Sequence, residues 1–176
     1  MPIAIRPGRD NDMGAIAEIY AHHVLHGTAS FEIVPPDVDE MRRRRAAILA
    51  HGLPYLVAVR DGTVLGYAYA GSYRPRAAYR DTVEDSIYIR PDSIGLGIGG
   101  RLLPATIAAC EAAGRRQMIA VVGDSAHRAS IRLHEKCGFD SIGILRSVGY
   151  KHGRWLDSVL LQRSLGVGDT APPAAA

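Results

Sequence analysis

The chain has 176 residues, of which 47% are hydrophobic and 22% are charged, a composition typical of one globular domain rather than a disordered chain. Its net charge of +3 is too small to indicate a nucleic acid partner, and no apolar run is long enough to cross a membrane. Cys110 and Cys137 form no paired motif, and no leader peptide is visible. We therefore expect reduced thiols and a cytoplasmic protein that binds neither nucleic acid nor a membrane.

The first half of the chain predicts two helices and three strands. Hydrophobic spacing and turn residues predict strands over 3–6, 55–60 and 64–73 and helices over 10–25 and 38–51. The Asp61-Gly62 pair predicts a tight hairpin between the second and third strands. Four consecutive arginines, 42–45, spread around the second helix and indicate a solvated face rather than a nucleic acid patch.

The second half predicts alternating strands and helices. Strands are predicted over 82–90, 118–122, 142–148 and 156–161, with a helix that follows the glycines and runs to about Gly114 and a second over 126–137. The order β-α-α-β-β-β-α-β-α-β-β predicts an α/β fold, a mixed sheet with helices on both faces. Residues 1–165 are predicted to form one domain, and the small, proline-containing segment 166–176 a disordered tail.

The most informative feature is a cluster of four glycines, Gly95, Gly97, Gly99 and Gly100, between a strand and a helix. Glycine removes the side chains that would keep a ligand away from the main chain. The first turn of a helix leaves N–H groups without partners and carries partial positive charge. The segment therefore predicts an anion site that suits a phosphate group.

Three kinds of phosphate site in proteins place glycines at the start of a helix. A P-loop is excluded, because no lysine follows these glycines. A dinucleotide site stays open: Gly95, Gly97 and Gly100 spell GxGxxG, and Asp124 follows the next strand. However, four residues separate the strand from Gly95, whereas that fold places its first glycine directly after the strand. The third kind is a site for coenzyme A.

The glycine segment resembles motif A of the GNAT superfamily of N-acetyltransferases, in which Gln or Arg-x-x-Gly-x-Gly or Ala opens the helix under the pyrophosphate. Gly97 and Gly99 match this pattern, while Ile94 stands at the Gln or Arg position. Further segments resemble the phosphinothricin and methionine sulfoximine N-acetyltransferase branch, namely 28–32, 73–80, 83–86, 130–139 and 149–157. The resemblance implies the GNAT fold, a mixed, mostly antiparallel, twisted sheet flanked by helices.

The same resemblance implies acetyl-CoA as co-substrate, no metal and a homodimer. The main chain of the strand before the turn is expected to pair with the pantetheine arm, through Ile87, Tyr88 and Ile89. The turn is expected to bind the pyrophosphate through the main chain of Gly95, Leu96, Gly97, Ile98, Gly99, Gly100 and Arg101. His127 and Ser130 are expected along the coenzyme, although His127 replaces the asparagine usual in the family.

Two residues are candidates for proton transfer. Glu84, Ser86 and Tyr88 alternate onto one face of their strand, with Asp85 on the other. The resemblance implies that Glu84 is the base that deprotonates the amine, and that His134 is the acid toward the departing thiolate. A solvated strand carboxylate and a packed helix histidine are the structural alternatives.

The acceptor pocket is expected to contain Phe31, Arg74, Arg76 and Tyr79, because the resemblance places them there. Arginine pairs well with carboxylate or phosphinate oxygens. We therefore expect direct transfer of an acetyl group to the α-amine of a small amino acid analogue such as phosphinothricin, methionine sulfoximine or methionine sulfone. The alternatives are a CoA-binding regulatory domain without turnover and an acetyltransferase for a different amine.

Overall fold

A computed structural model describes residues 2–173 as one sheet with helices on both faces. The strands are β1 (Ala4–Pro7), β2 (Tyr55–Arg60), β3 (Thr63–Ser72), β4 (Thr82–Ile89), β5 (Gln117–Gly123), β6 (Asp140–Lys151) and β7 (Arg154–Ser164). The helices are α1 (Met13–His26), α2 (Val38–Ala50), α3 (Gly99–Ala112) and α4 (Arg128–Lys136), with short 3-10 turns at Asp10–Asp12, Ala77–Tyr79 and Pro91–Ser93. Every helix and strand predicted from the sequence is present.

The last hairpin is longer than predicted. Pairing between β6 and β7 continues through Tyr150↔Trp155 and Lys151↔Arg154 up to a two-residue turn. His152 and Gly153 both have positive φ, 51° and 74°, which is the backbone that tight hairpin turns require. The turn therefore lets the strands pair to their ends, although the polar sequence there does not look like a strand.

The segment predicted as a disordered tail begins with defined turns. The Gly168 N–H donates to the Leu165 carbonyl at 2.9 Å, and the Thr170 N–H donates to Val167 at 3.1 Å. The Arg116 guanidinium donates to the Pro172 carbonyl at 3.1 Å. Hydrogen bonds within the chain thus continue as far as residue 172. Residues 174–176 of the predicted tail lie outside the described residues.

The sheet has the order β1-β2-β3-β4-β5-β7-β6, and each neighbouring pair is antiparallel except β4 and β5. The parallel pair is short, running from Thr82↔Gln117 to Asp85↔Ala120. Beyond it, residues 86–89 of β4 pair only with β3, and residues 121–123 of β5 pair only with β7. The two central strands therefore separate and leave a gap in the sheet. The predicted mixed, mostly antiparallel sheet is confirmed.

Apolar clusters on both faces hold the helices against the sheet. On one face, α1 and α2 pack on a tyrosine-rich cluster that includes Tyr20, Tyr67 and Tyr88. On the other, α3 and α4 pack on a larger cluster around Leu103 and Met118. Burial of these side chains supplies most of the driving force for folding, and it fixes which side chains of β4 face each helix pair.

The run of four arginines lies on the outer part of α2, and carboxylates accompany it. Arg42 pairs with Asp39 at 2.7 Å, and Arg44 pairs with Glu32 at 2.6 Å. Pairs of this kind are typical of a solvated helix face. Among residues 2–173, no helix has the length and apolar character needed to span a lipid bilayer.

Candidate active site

A cleft of about 330 Å³ lies at the gap between β4 and β5. Residues from both faces of the sheet line it. Tyr69, Glu84, Ser86 and Tyr88 belong to the α1 and α2 face, and Asp85, Ile87, His127, Ser130 and His134 belong to the α3 and α4 face. The cleft therefore connects the two sides of the sheet, so that two molecules can meet in it from opposite directions.

The register of β3 and β4 decides which main-chain groups face the gap. The Arg90 N–H donates to the Leu65 carbonyl at 2.9 Å, and hydrogen-bonded pairs alternate along an antiparallel ladder. The main chain of Tyr88 is therefore directed at β3, while the N–H and C=O of Ile87 and Ile89 point into the gap. The prediction that Tyr88 pairs its main chain with pantetheine is wrong, because β3 already holds those groups.

A histidine on α1 contacts the same strand edge. His23 Nε2 lies 2.8 Å from the Ile89 carbonyl, to which it donates. Burial lowers the pKa of His23, so its imidazole is neutral at pH 7. The Ile89 carbonyl is therefore occupied, whereas its N–H remains directed at the gap. The sequence did not point to this role for His23, since its partner lies 66 residues away in the chain.

The glycine segment forms the predicted turn into α3. Gly95 and Gly97 have φ of 88° and 71°, a backbone that residues with a side chain rarely adopt. The Leu96 N–H donates to Ser93 at 3.4 Å, and the Arg101 N–H donates to Ile98 at 3.0 Å. Leu96 and Arg101 therefore bond within the turn rather than offering free donors.

Four successive N–H groups remain without an acceptor inside residues 2–173, those of Gly97, Ile98, Gly99 and Gly100. The Ile98 side chain is buried in the core and anchors the turn, while the Ile94 side chain is exposed and apolar. Four free donors at a helix N-terminus fit a diphosphate, and the adjacent gap fits a narrow chain with amide groups. The residues present thus suit acetyl-CoA.

Glu84 lines the cleft from the α1 and α2 face of the sheet. Its carboxylate is half-buried, and no hydrogen-bond donor to it is found in the described part of the chain. Burial raises the pKa of Glu84, and the charge of the neighbouring Asp85 raises it further. A carboxylate that has no competing donor and a raised pKa is well suited to accept a proton.

His134 lies on the wall of the cleft with both ring nitrogens engaged. Nδ1 is 2.7 Å from the Ser130 carbonyl, and Nε2 is 3.1 Å from Oδ2 of Asp85. Burial lowers the pKa of His134, but the hydrogen bond and charge of Asp85 outweigh it, so the pKa is raised overall. The predicted donation of a proton to sulfur would require one of these bonds to break.

The two other predicted residues of α4 also line the cleft. His127 is the residue before the first turn of α4, and Ser130 lies one turn later on the same face. Their positions agree with a role along the coenzyme. His127 stands at the start of α4, where the resemblance implied an asparagine.

Of the residues predicted for the acceptor pocket, Phe31 belongs to the cleft and the two arginines do not. Phe31 lines the cleft, and its loop is held by Ser30, whose carbonyl accepts from Lys151 Nζ at 2.6 Å. Arg74 lies instead over the rings of Tyr73 and Tyr79, at 5.1 and 5.8 Å.

Arg76 is exposed on the same loop between β3 and β4 as Arg74 and Tyr79. Within one chain, none of these three residues lines the cleft with Phe31. The structure adds Tyr69 to this side, a residue that the sequence did not single out because its strand reads as ordinary core.

Comparison with known proteins agrees with this geometry. Residues 15–139 match the acetyltransferase (GNAT) family. The chain is 61% identical to phosphinothricin N-acetyltransferase of Alcaligenes faecalis, over 96% of this chain and 86% of that protein. It is 39% identical to an L-methionine sulfoximine/L-methionine sulfone acetyltransferase of Pseudomonas paraeruginosa, over 98% of this chain and all of that protein.

A solved structure extends the likeness to the fold. A GNAT superfamily phosphinothricin acetyltransferase from Sinorhizobium meliloti, in complex with AcCoA, matches with a TM-score of 0.95 and 46% identity. The match covers 99% of this chain and 94% of that one. From its sequence motifs, its split sheet and these similarities, the chain belongs to the GNAT acetyltransferase family.

Proposed function

We propose that this protein transfers the acetyl group of acetyl-CoA to the α-amine of a small amino acid analogue, with phosphinothricin, methionine sulfoximine and methionine sulfone as the acceptor class. The observation that carries the proposal is the position of Glu84. Its free, half-buried carboxylate faces the cleft from the α1 side, while the free N–H groups of residues 97–100 lie on the α3 side. The similarity to proteins named for these acceptors supports the substrate class.

The glycine turn and the strand edge hold the acyl donor. The N–H groups of residues 97–100 bind the diphosphate, and the main chain of Ile87 and the N–H of Ile89 pair with the pantetheine amides. This arrangement places the thioester in the gap. A free N–H of β4 then donates to the thioester oxygen, where negative charge develops during the reaction.

Glu84 prepares the amine. An ammonium group has no lone pair, so Glu84 accepts its proton, directly or through one water molecule. The amine nitrogen then bonds to the acetyl carbon, the carbon–sulfur bond breaks, the thiolate of CoA leaves, and the new amide nitrogen releases its second proton to solvent. Neither Cys110 nor Cys137 lines the cleft, so the nitrogen attacks the thioester directly without an acetyl-cysteine step.

The acceptor's acidic groups require cations. Arg74 and Arg76 remain the candidates, and the Arg74 guanidinium lies 5.1 and 5.8 Å from the ring centroids of Tyr73 and Tyr79. Binding of the acceptor then depends on how the loop between β3 and β4, which carries both arginines, approaches the cleft. Phe31 and Tyr69 provide the apolar surface for the acceptor's carbon chain.

We further infer a homodimer and a cytoplasmic location. The edge strand β6 exposes Ile142, Ile144, Leu145 and Val148, beside Tyr150 and Trp155, whose rings are 5.2 Å apart. An exposed apolar edge strand pairs readily with another chain, and a second copy would cover it. The cytoplasmic location agrees with two free cysteines.

The test is release of CoA thiol from acetyl-CoA in the presence of a panel of amines. We expect turnover with phosphinothricin or the methionine analogues and little with arylamines or protein lysines. Turnover confined to arylamines or lysines would reject the amino acid acceptor. Binding of acetyl-CoA without turnover on any amine would indicate a regulatory domain instead.

A further inference from the structure

We propose that Asp85 is a positioning residue that keeps His134 doubly protonated, so that His134 acts as a fixed positive charge beside the gap rather than as a mobile proton donor. This inference rests on the proposed function, because the gap is where the thiolate of CoA forms. It also changes the role expected for His134 from the sequence.

The hydrogen bonds of His134 require two N–H groups. Its Nδ1 lies 2.7 Å from a main-chain carbonyl, that of Ser130, and its Nε2 lies 3.1 Å from a carboxylate oxygen of Asp85. A carbonyl oxygen and an ionised carboxylate both accept hydrogen bonds, so with Asp85 ionised both ring nitrogens donate. A neutral imidazole has only one N–H, and the doubly protonated ring satisfies both partners at once.

A purely structural role explains this pair poorly. The side chains of His134 and Asp85 are 3% and 2% exposed, and Oδ1 of Asp85 has no protein partner in the described part of the chain. Removing two charges from water is costly, and an unpaired buried oxygen adds to that penalty. Buried pairs of this kind cluster at functional sites, and this pair lines the cleft.

Few other titratable groups face the pair. Cys110 of α3 and Cys137 after α4 are neutral at pH 7, because burial raises the pKa of Cys110 to about 12 and raises that of Cys137. His127 lies on the same helix as His134, and partial burial of its ring lowers its pKa. Glu84 is the neighbour of Asp85 on β4, and its charge lies on the opposite face of the strand. Asp85 is therefore the anion that holds the positive charge on His134.

The variant Asp85→Asn removes the negative charge of the side chain and keeps its size and shape. The introduced side-chain amide can donate to Nε2 of a neutral His134, whose Nδ1–H still donates to Ser130, so the hydrogen-bond geometry survives while the charge is lost. We expect kcat at pH 7.5 to fall at least tenfold, with the KM for acetyl-CoA changing less than threefold. In Asp85→Asn, the pH above which kcat declines should be at least one unit lower than in the wild type. The kcat of the variant should therefore recover partly near pH 6, where His134 is protonated again. Asp39→Asn, which removes an exposed carboxylate on α2, is the matched control.

A direct spectroscopic measurement keeps the inference independent of turnover and of the variant's folding. The ring carbons of His134 are followed by NMR in the wild-type protein from pH 5 to 9, with the signal assigned by its loss in His134→Gln. A doubly protonated ring at pH 7.5 supports the proposal. A neutral ring at that pH, or an Asp85→Asn protein whose activity falls with an unmoved pH profile, overturns it, whatever the acceptor assay shows.

Discussion

The ring of Phe31 lies directly on the Cα of Gly149, so that a methyl group placed on Gly149 would overlap the ring. Gly123 approaches the same ring from β5, where an added Cβ would lie 2.9 Å from Cε1. A glycine on β5 and a glycine on β6 thus set the position of the aromatic ring of Phe31, which lines the cleft and which we propose to contact the acceptor.

Gly149→Ala should displace Phe31 and weaken acceptor binding. The backbone of Gly149 does not have positive φ, so the variant acts through the ring and not through strain. We expect the KM for the amino acid acceptor to rise several-fold while the KM for acetyl-CoA stays nearly constant, measured by steady-state thiol release. Gly143→Ala on the same strand has open space around its Cβ and should leave both values unchanged.

Glu84→Gln removes the proposed base and keeps the size of the side chain. General-base catalysis contributes about 10²–10⁴-fold, so kcat should fall by that order. The affinity for acetyl-CoA, measured by calorimetry, should change little, since the free N–H groups are untouched. In the wild type, activity should fall as the pH drops through the raised pKa of Glu84, because the base becomes protonated.

The control for Glu84 is Glu18→Gln, an exposed carboxylate on α1. It should leave both turnover and the pH profile as in the wild type. Wild-type turnover in Glu84→Gln at every pH would remove Glu84 from the role of base.

Gly97→Ala should weaken acetyl-CoA binding. Gly97 has φ of 71°, which an alanine adopts only with about 1 kcal/mol of strain, so the turn should shift its free N–H groups. We expect the Kd for acetyl-CoA to rise about tenfold or more. Gly62→Ala in the β2–β3 turn carries the same kind of strain, at φ 79°, and should lower stability without changing this Kd.

Ile144→Lys tests the homodimer. Ile144 is exposed on the edge strand β6, and a lysine there would place a charge in the proposed interface. The wild type should behave as a dimer in light scattering, and the variant as a monomer. Leu49→Lys, an exposed leucine on α2, should stay dimeric. A wild-type protein that is monomeric at micromolar concentration would contradict the dimer.

Asp12→Asn should destabilise the N-terminal region of the fold. Arg6 donates two hydrogen bonds to the buried Asp12 carboxylate, at 2.7 and 2.8 Å, and the Arg9 N–H donates a third at 2.7 Å. The hydrogen bonds from Arg6 lower the pKa of Asp12, with smaller contributions from Arg9. We expect the free energy of unfolding at pH 7 to fall by about 2 kcal/mol, a value typical of a charged hydrogen bond.

The pH dependence of this effect has a definite sign. The folded pKa of Asp12 lies below its ordinary value of 3.8, so its stabilisation is complete above that value. It is lost as the pH falls below 3.8, where wild type and variant should converge in denaturant titrations. Asp10→Asn, at an exposed carboxylate, should show no comparable loss at pH 7.

Much of the fold follows from local patterns. Hydrophobic spacing, glycines and prolines act within a few residues, so the helices, the strands and the turn into α3 could be predicted in order. The alternation of Glu84 and Asp85 onto opposite faces of β4 also follows from the period of a strand. The four free N–H groups of residues 97–100 belong to the same local turn.

Other features depend on contacts between distant parts of the chain. The register with β3 turns the main chain of Tyr88 away from the gap, and a one-residue shift would have reversed it. His23 reaches Ile89 across 66 residues, and His134 reaches Asp85 across 49. The amino-acid sequence by itself determined the elements and the chemistry of the candidate groups. Only the packed tertiary structure decided which of these groups face the cleft, because register and burial arise when whole elements meet.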